Sequence, residues 1–346
     1  MADPKTQFLT NDLLTRKKWA RDLFKVLLDD VEFNTLIGTG KDAVVMKDMD
    51  LAKGEGDQMT FGIRLPLTGE GVVGDNTVEG NEEKMRFRNF KAVIEELNHA
   101  VDTGGKMEQQ RVPYDLMKEG KEGLQEWWGA KLSDYMFAVL CGNSGFQIAG
   151  QTFADAAEEP NSNRLMTVND VAEGSLAAAD EADLGFLDRL KQKAELPTAA
   201  LNYRIRPAMK KDGKNYFRVI MHTYAFDRLR TNMNAGQWGD LLRAGQKLGM
   251  PQVEFEYNGM LVSKSDRIYS PNTGEYRNIL LGAQAAVMGW GGAGDSKSTV
   301  LSFVPYTRDA ERYVMIRGGG ILGIKKVRFD SIEFGIISGT SYATAL

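Results

Sequence analysis

The sequence is poor in the side chains on which most protein chemistry depends. Its 346 residues hold one cysteine and two histidines. A single cysteine forms no intrachain disulfide and no cysteine-based zinc site, so a secreted disulfide scaffold and a zinc ribbon are excluded and a reducing compartment is expected. A dominant charge is also lacking: 43 Lys and Arg stand against 47 Asp and Glu, for a formal net charge of −4. That mildly acidic balance argues against a protein that coats nucleic acid by neutralising phosphates. No apolar run approaches the ~20 residues needed to cross a bilayer, and Met1-Ala2-Asp3-Pro4-Lys5-Thr6 has neither the basic segment nor the apolar stretch of a secretory leader. No membrane partner is expected. At about 150 residues per domain, the length predicts two folding units with cores large enough to need no staples.

Apolar periodicity divides the rest. Leu13, Leu14, Ala20, Leu23, Phe24, Leu27 and Leu28 recur at helical spacing beside Trp19, and the Gly-containing stretch 33–53 reads as an arm or linker. From Gln58 to Leu65, Met59, Phe61, Ile63 and Leu65 alternate with polar residues, and Lys84–Arg88 alternates likewise. Between these runs lies a stretch rich in Gly and acids, so a long hairpin with an acidic tip is predicted. An isolated hairpin is marginal in water, and a partner surface for it is expected elsewhere. Residues 113–141 predict a long helix, with Pro113 and Asp115 at its start, Leu124, Trp127, Trp128, Leu132, Tyr135, Met136, Val139 and Leu140 on its apolar side, and Gly142 at its end. A second helix is expected over about 181–194 after an Ala-, Asn- and Asp-rich connector, 150–180. Beyond residue 200 the texture is mixed: Tyr203–Arg206 and Tyr216–Met221 flank Lys211-Asp212-Gly213-Lys214, a short hairpin signal. A helix near 237–247 and short strands follow, and the last forty residues alternate around Ile324, Val327, Phe329, Ile332, Phe334 and Ile336.

Patterns that suggest enzymes fail on context. Gly69–Gly74 and Gly318–Gly323 have dinucleotide-binding spacing, yet that chemistry needs a helix directly after the glycines, inside a βαβ unit. Gly291–Ser298 approximates a phosphate-cradling loop, but Ser296 replaces the second glycine and a strand pattern follows where a helix N-terminus is required. Gly339-Thr340-Ser341 looks like a subtilisin serine region, yet neither His99 nor His222 has the matching context. Neither histidine sits in a helical His/Glu pair, and Cys141, closing an apolar helix face, reads as a core residue. No catalytic residue, cofactor or metal is expected, although the glycine motifs keep a soluble nucleotide-binding α/β enzyme as the alternative.

The run Leu67–Glu83, the run Gly105–Leu116, Met221-His222-Thr223-Tyr224, Leu281–Ala286 and Gly323–Phe329 follow one another in the order found in one family. On these residues the chain resembles major capsid proteins of tailed bacteriophages, specifically the capsid family of N-four-like podoviruses with the Hong Kong 97 fold. The match covers most of the chain from about residue 35. One departure is Thr223, where the family often has proline after the histidine.

The resemblance implies an α+β protein of the Hong Kong 97 type. Its parts would be an N-terminal arm (1–50), an extended hairpin loop lying over a neighbour (51–95), a peripheral domain (96–195 and 301–346) with a spine helix at 113–141, and an axial domain (196–300). The C-terminal strand would return to the peripheral domain. It implies self-assembly as pentamers and hexamers into an icosahedral head enclosing double-stranded DNA without sequence-specific binding, in a virion assembled in host cytoplasm. A repeated heterologous contact closes into the rings a shell needs, and a mildly acidic shell contains DNA without gripping it. A portal protein is implied, with room for a decoration protein. A separate scaffolding protein is expected because no long charged helix precedes residue 50. From charge alone, Glu70, Asp75, Glu79, Glu82 and Glu83 on the tip, with Arg64, Arg86 and Arg88 on the stem, are the candidate inter-subunit contacts.

Overall fold

A computed structural model describes residues 34–40, 42–48, 56–64, 67, 69–111, 115–153, 155–197, 204–211, 213–233, 235–248, 253–292 and 301–345. The helix expected at 13–28 and most of the phosphate-loop-like run, 293–298, lie outside them.

In chain order the strands are β1 (Ile37–Gly38), β2 (Val45–Asp48), β3 (Gln58–Arg64), β4 (Phe87–Val93), β5 (Glu95–Gly105), β6 (Leu165–Thr167), β7 (Met209–Lys211), β8 (Lys214–His222), β9 (Phe255–Tyr257), β10 (Met260–Ser265), β11 (Glu275–Leu281), β12 (Ala286–Gly291), β13 (Leu301–Arg308), β14 (Tyr313–Lys326), β15 (Arg328–Phe329), β16 (Ile332–Glu333) and β17 (Ile336–Tyr342). The α-helices are α1 (Lys106–Arg111), α2 (Leu116–Cys141), α3 (Leu184–Glu195), α4 (Thr223–Thr231) and α5 (Ala235–Leu248).

The first sheet is built around β14. β5 pairs along one edge of β14, and β12 and β13 lie end to end along the other, with β2 and then β1 outside β12. One face of this sheet carries α2, a helix of about 39 Å at 1.5 Å per residue. Trp128, Leu132 and Met136 of α2 pack with Trp290, Phe303, Ile316 and Ile324 of the strands. The second sheet has the order β6-β17-β11-β8-β10-β9, with β7 paired to the start of β8. Its central strand β8 is buried on both faces, with Arg218 and His222 beside Ile220 on one of them. Phe217, Val219 and Met221 meet Phe186, Leu187 and Leu190 of α3 and Ala225 and Leu229 of α4. Ile220 points the other way, into the core beneath α2, where Ile279, Leu281 and Ile336 join it. Each such fully buried side chain contributes roughly 1.5–3 kcal/mol, so the two sheets share a core through β8, β11 and β17.

Several boundaries differ from the expectation, each for a local reason. The long helix starts at Leu116, because Asp115 is its N-cap and its carboxylate accepts the Met117 and Lys118 N–H groups at 2.9 and 3.4 Å. Its end is as read: Gly142 takes φ 74° and donates its N–H to Ala138 O. The second hairpin strand begins at Phe87, since Arg64 pairs with Phe87 and Gln58 with Val93. Residues 204–206 form no strand. The short hairpin is built by β7 instead, joined to β8 in the register Lys211↔Lys214.

The segment 150–180 is packed structure, with β6 on β17 and Asp155, Arg164 and Asp180 buried. Its carboxylates are held by hydrogen bonds: Asp155 accepts the Val93 N–H, and Asp180 accepts from Ala177 N and Asn169. The C-terminal segment changes sheet at Asp330 and Ser331, which both take positive φ. β17 therefore pairs with β11 and β6 in the second sheet, while β12, from within 196–300, pairs with β14 in the first. The sheets thus cross the expected boundary at 300.

Candidate assembly surfaces

The feature with no counterpart in a self-contained monomer is the β3–β4 arm. Seven paired residues on each strand extend it by about 23 Å at 3.3 Å per residue, and its tip includes Leu67 and residues 69–86. The root is seated on the body. Met59, Phe90 and Ala92 are buried, and Phe61, Phe90, Phe329 and Phe334 form a chain of ring contacts with centroids 5.6–6.4 Å apart. Asp155 accepts the Val93 N–H at 2.5 Å and pairs with Lys325 at 2.6 Å, and the Lys325 ammonium lies 5.6 Å from the centroid of Phe90.

Beyond the root the burial ends. Leu67, Val73, Val78, Met85 and Phe87 are 64, 81, 65, 61 and 57 % exposed. The tip is ordered by its own polar groups. Glu83 accepts the Gly69 N–H at 2.6 Å and so joins the two legs; Glu82 accepts from Gly80 N, and Asn76 and Asn81 donate to Val73 O and Thr77 O. Gly71, Gly74 and Gly80 turn the chain at positive φ. Large apolar side chains held in water on a structured loop are the mark of an interaction surface.

The eight candidate contacts separate accordingly. Glu83 closes the tip and lies 3.9 Å from Arg86, and Arg88 binds both carboxylate oxygens of Asp330 at 2.9–3.0 Å. These three work within their own chain. Glu82 serves the tip while staying exposed, and Arg64, Glu70, Asp75 and Glu79 are exposed.

The residues missed by the sequence reading are buried ions around the C-terminal end of α2. Arg277 of β11 is bidentate to Glu173, at 2.7 and 2.8 Å, and donates to the helix-end carbonyl of Gly142 at 3.0 Å. Thr340 donates to the same carboxylate at 2.5 Å. Burial works against the charge on Glu173, but the hydrogen bonds from Arg277 and Thr340 and the Arg277 charge outweigh it and hold the carboxyl below its usual range. Lys326 of β14 pairs with buried Glu333 at 3.2 Å, and Asn161 N–H and the Arg164 guanidinium tie the same residue down. Burial lowers the Lys326 pKa against that pairing. Cations from both sheets thus converge where α2 ends, as its dipole favours. No motif marks them, because each partner is more than 100 positions away for Arg277 and only tertiary folding joins them.

The enzyme-like patterns fall on structural positions. Gly318–Gly323 lies within β14, and a Cβ on Gly318 would collide with Phe303 and Trp128. Ser341 is buried in β17, accepting from Asn278 at 2.9 Å. His222 N-caps α4 by accepting the Tyr224 N–H at 3.1 Å and stacks on Tyr276, and His99 stacks on Trp127. Thr223 is therefore the first helical residue, a site that equally suits proline. Cys141 is fully buried, which pushes its thiol up to about 11. Among the described residues, no cluster of His, Cys, Asp or Glu fits a metal ion and no helix is long and apolar enough to cross a membrane.

Comparison with known proteins agrees along the whole chain. A family model described as phage capsid protein matches residues 7–345. The major capsid protein of Pseudomonas phage KPP25 is 22 % identical over 95 % of both chains. Among solved structures, the capsid of Ralstonia phage GP4 superposes with a TM-score of 0.81 at 23 % identity, covering 100 % of this chain and 97 % of that one. The capsid of cyanophage Pam1 gives 0.71 at 19 % identity, covering 92 and 94 %.

Proposed function

The chain belongs to the phage capsid protein family, with the fold of the Hong Kong 97 type, and from that premise we propose how this major capsid protein works. It assembles as pentamers and hexamers into an icosahedral head that encloses double-stranded DNA. Residues 51–95 act as the extended loop reaching a neighbouring subunit, 113–141 as the spine of the peripheral domain, and the body of the second sheet as the axial domain. The observation that carries this reading is the arm, packed at its root and apolar at its tip. Burying about five exposed apolar side chains on a neighbour contributes on the order of 10 kcal/mol before the costs of association, and repetition around a closed ring turns such contacts into a stable shell.

Its work is mechanical, with no catalytic step, in a virion assembled in host cytoplasm. A separate scaffolding protein sets the size, a portal protein occupies one vertex, and a decoration protein has room on the outer surface. Electron microscopy of the purified protein, with and without the scaffold, tests this. Rings and closed shells are expected; a monodisperse monomer that stays so with scaffold present overturns it. Closed shells of correct size from this chain alone would remove the scaffold from the proposal.

A further inference from the structure

Building on the reading that the arm reaches a neighbour, we infer that its tip seats on a second copy of this chain, in the apolar pocket beside the β7–β8 hairpin. The pocket has a volume of about 420 Å³ and is lined by Leu36, Ile37, Val44, Met209, Leu261 and Arg218, among others. That volume lies in the range of ordinary binding pockets, about 300–1,000 Å³, and takes one or two aliphatic side chains. Met209 leads directly into the hairpin, where Lys210, Lys211 and Lys214 are exposed. The lining also holds Asp42, which pairs with Arg206 at 2.6 Å, so the exposed positive charge near this apolar cleft comes from the neighbouring hairpin lysines and not from the lining itself.

The tip is its complement. Val73 and Val78 are 81 and 65 % exposed, and Glu70, Asp75 and Glu79 stand exposed around them. Apolar area supplies the affinity, and the opposed carboxylates and ammonium groups select the partner and its orientation. DNA phosphates could meet the three lysines, but they would leave both the pocket and the valines in water. The match of apolar as well as charged groups favours the protein.

The test is cross-linking between two chains. Val78→Cys in one preparation and Met209→Cys in another are co-assembled with scaffold and oxidised; native Cys141 is buried and does not compete. A dimer on a non-reducing gel that needs both variants is expected. Shells at wild-type yield with no such dimer overturn the pocket assignment alone, whereas failure of the unmutated protein to form shells overturns the reading on which it rests.

Charge reversal gives an independent readout, because every residue changed is exposed. Lys210→Glu with Lys211→Glu lowers shell yield on the order of tenfold, and adding Asp75→Lys with Glu79→Lys restores it. Normal shells that only retain less DNA would assign the lysines to DNA and overturn the proposal. If Met209→Cys resists a thiol reagent in the unassembled monomer, the chain's own first residues fill the pocket, and the proposal also falls.

Discussion

At the scale of single residues, the positions most sensitive to loss of a partner are a few ion pairs and one histidine. Arg277→Met leaves the partly buried Glu173 carboxylate with its main partner gone, at a cost of about 1.5–3 kcal/mol, measurable by chemical denaturation of the dissociated subunit. Glu173→Met combined with Arg277→Met recovers much of that loss, because no isolated charge then remains. His222 gives a pH dependence of definite sign. Burial lowers its pKa from 6.5, with Asp266 opposing, and its imidazole accepts the Tyr224 N–H only while neutral. The groups around it are Tyr224, Tyr276 and Asn278, besides Asp266. The unfolded chain binds this proton more readily than the folded one, so the contribution is complete above about 6.5 and is lost as pH falls towards the lower folded value. The midpoint of thermal unfolding is expected to drop over that interval, and His222→Asn, which keeps a cap, flattens the drop.

Among the elements, α2 carries its own start and stop signals. Asp115→Ala removes an N-cap and costs about 1 kcal/mol. Gly142→Ala is worse, because φ 74° disfavours a Cβ and that Cβ would strike Glu158 O and Pro160. A loss of roughly 1–3 kcal/mol from backbone strain is expected, before any repacking. Thermal melts of the two variants side by side check the order. The hairpin elements divide in the same way. Asn258-Gly259 joins β9 to β10 through positive φ at both residues, a turn signal as legible as the one before β8.

For the whole molecule, the arm's value lies in where it points. Arg88 and Asp330 are about half exposed, so their pair adds little to subunit stability. It nevertheless fixes the arm to the turn between β15 and β16. Arg88→Ala is therefore expected to leave the denaturation midpoint within about 0.5 kcal/mol of wild type while reducing shell formation, followed by light scattering. Equal assembly would show that the aromatic root alone aims the arm.

The sequence by itself determined the elements whose signals are local. Asp115, the spaced apolar residues and Gly142 define α2; alternation from Met59 defines β3; Asp212-Gly213 defines the turn between β7 and β8; and the run of ordered matches pointed to the family. It also excluded an intrachain disulfide and a cysteine-based zinc site, since one thiol has no intrachain partner. Tertiary structure decided the rest. Alternation at Lys84–Arg88 cannot tell that Met85 and Phe87 stay in water, because the face a strand buries depends on what lies across it. A polar segment such as 150–180 looks like linker until Arg164 and Glu173 find partners far along the chain. The strand after Ile336 carries no mark of which sheet it will join. Even the partners of the arm's charges within its own chain, Gly69 N–H for Glu83 and Asp330 for Arg88, were set by geometry that no spacing encodes.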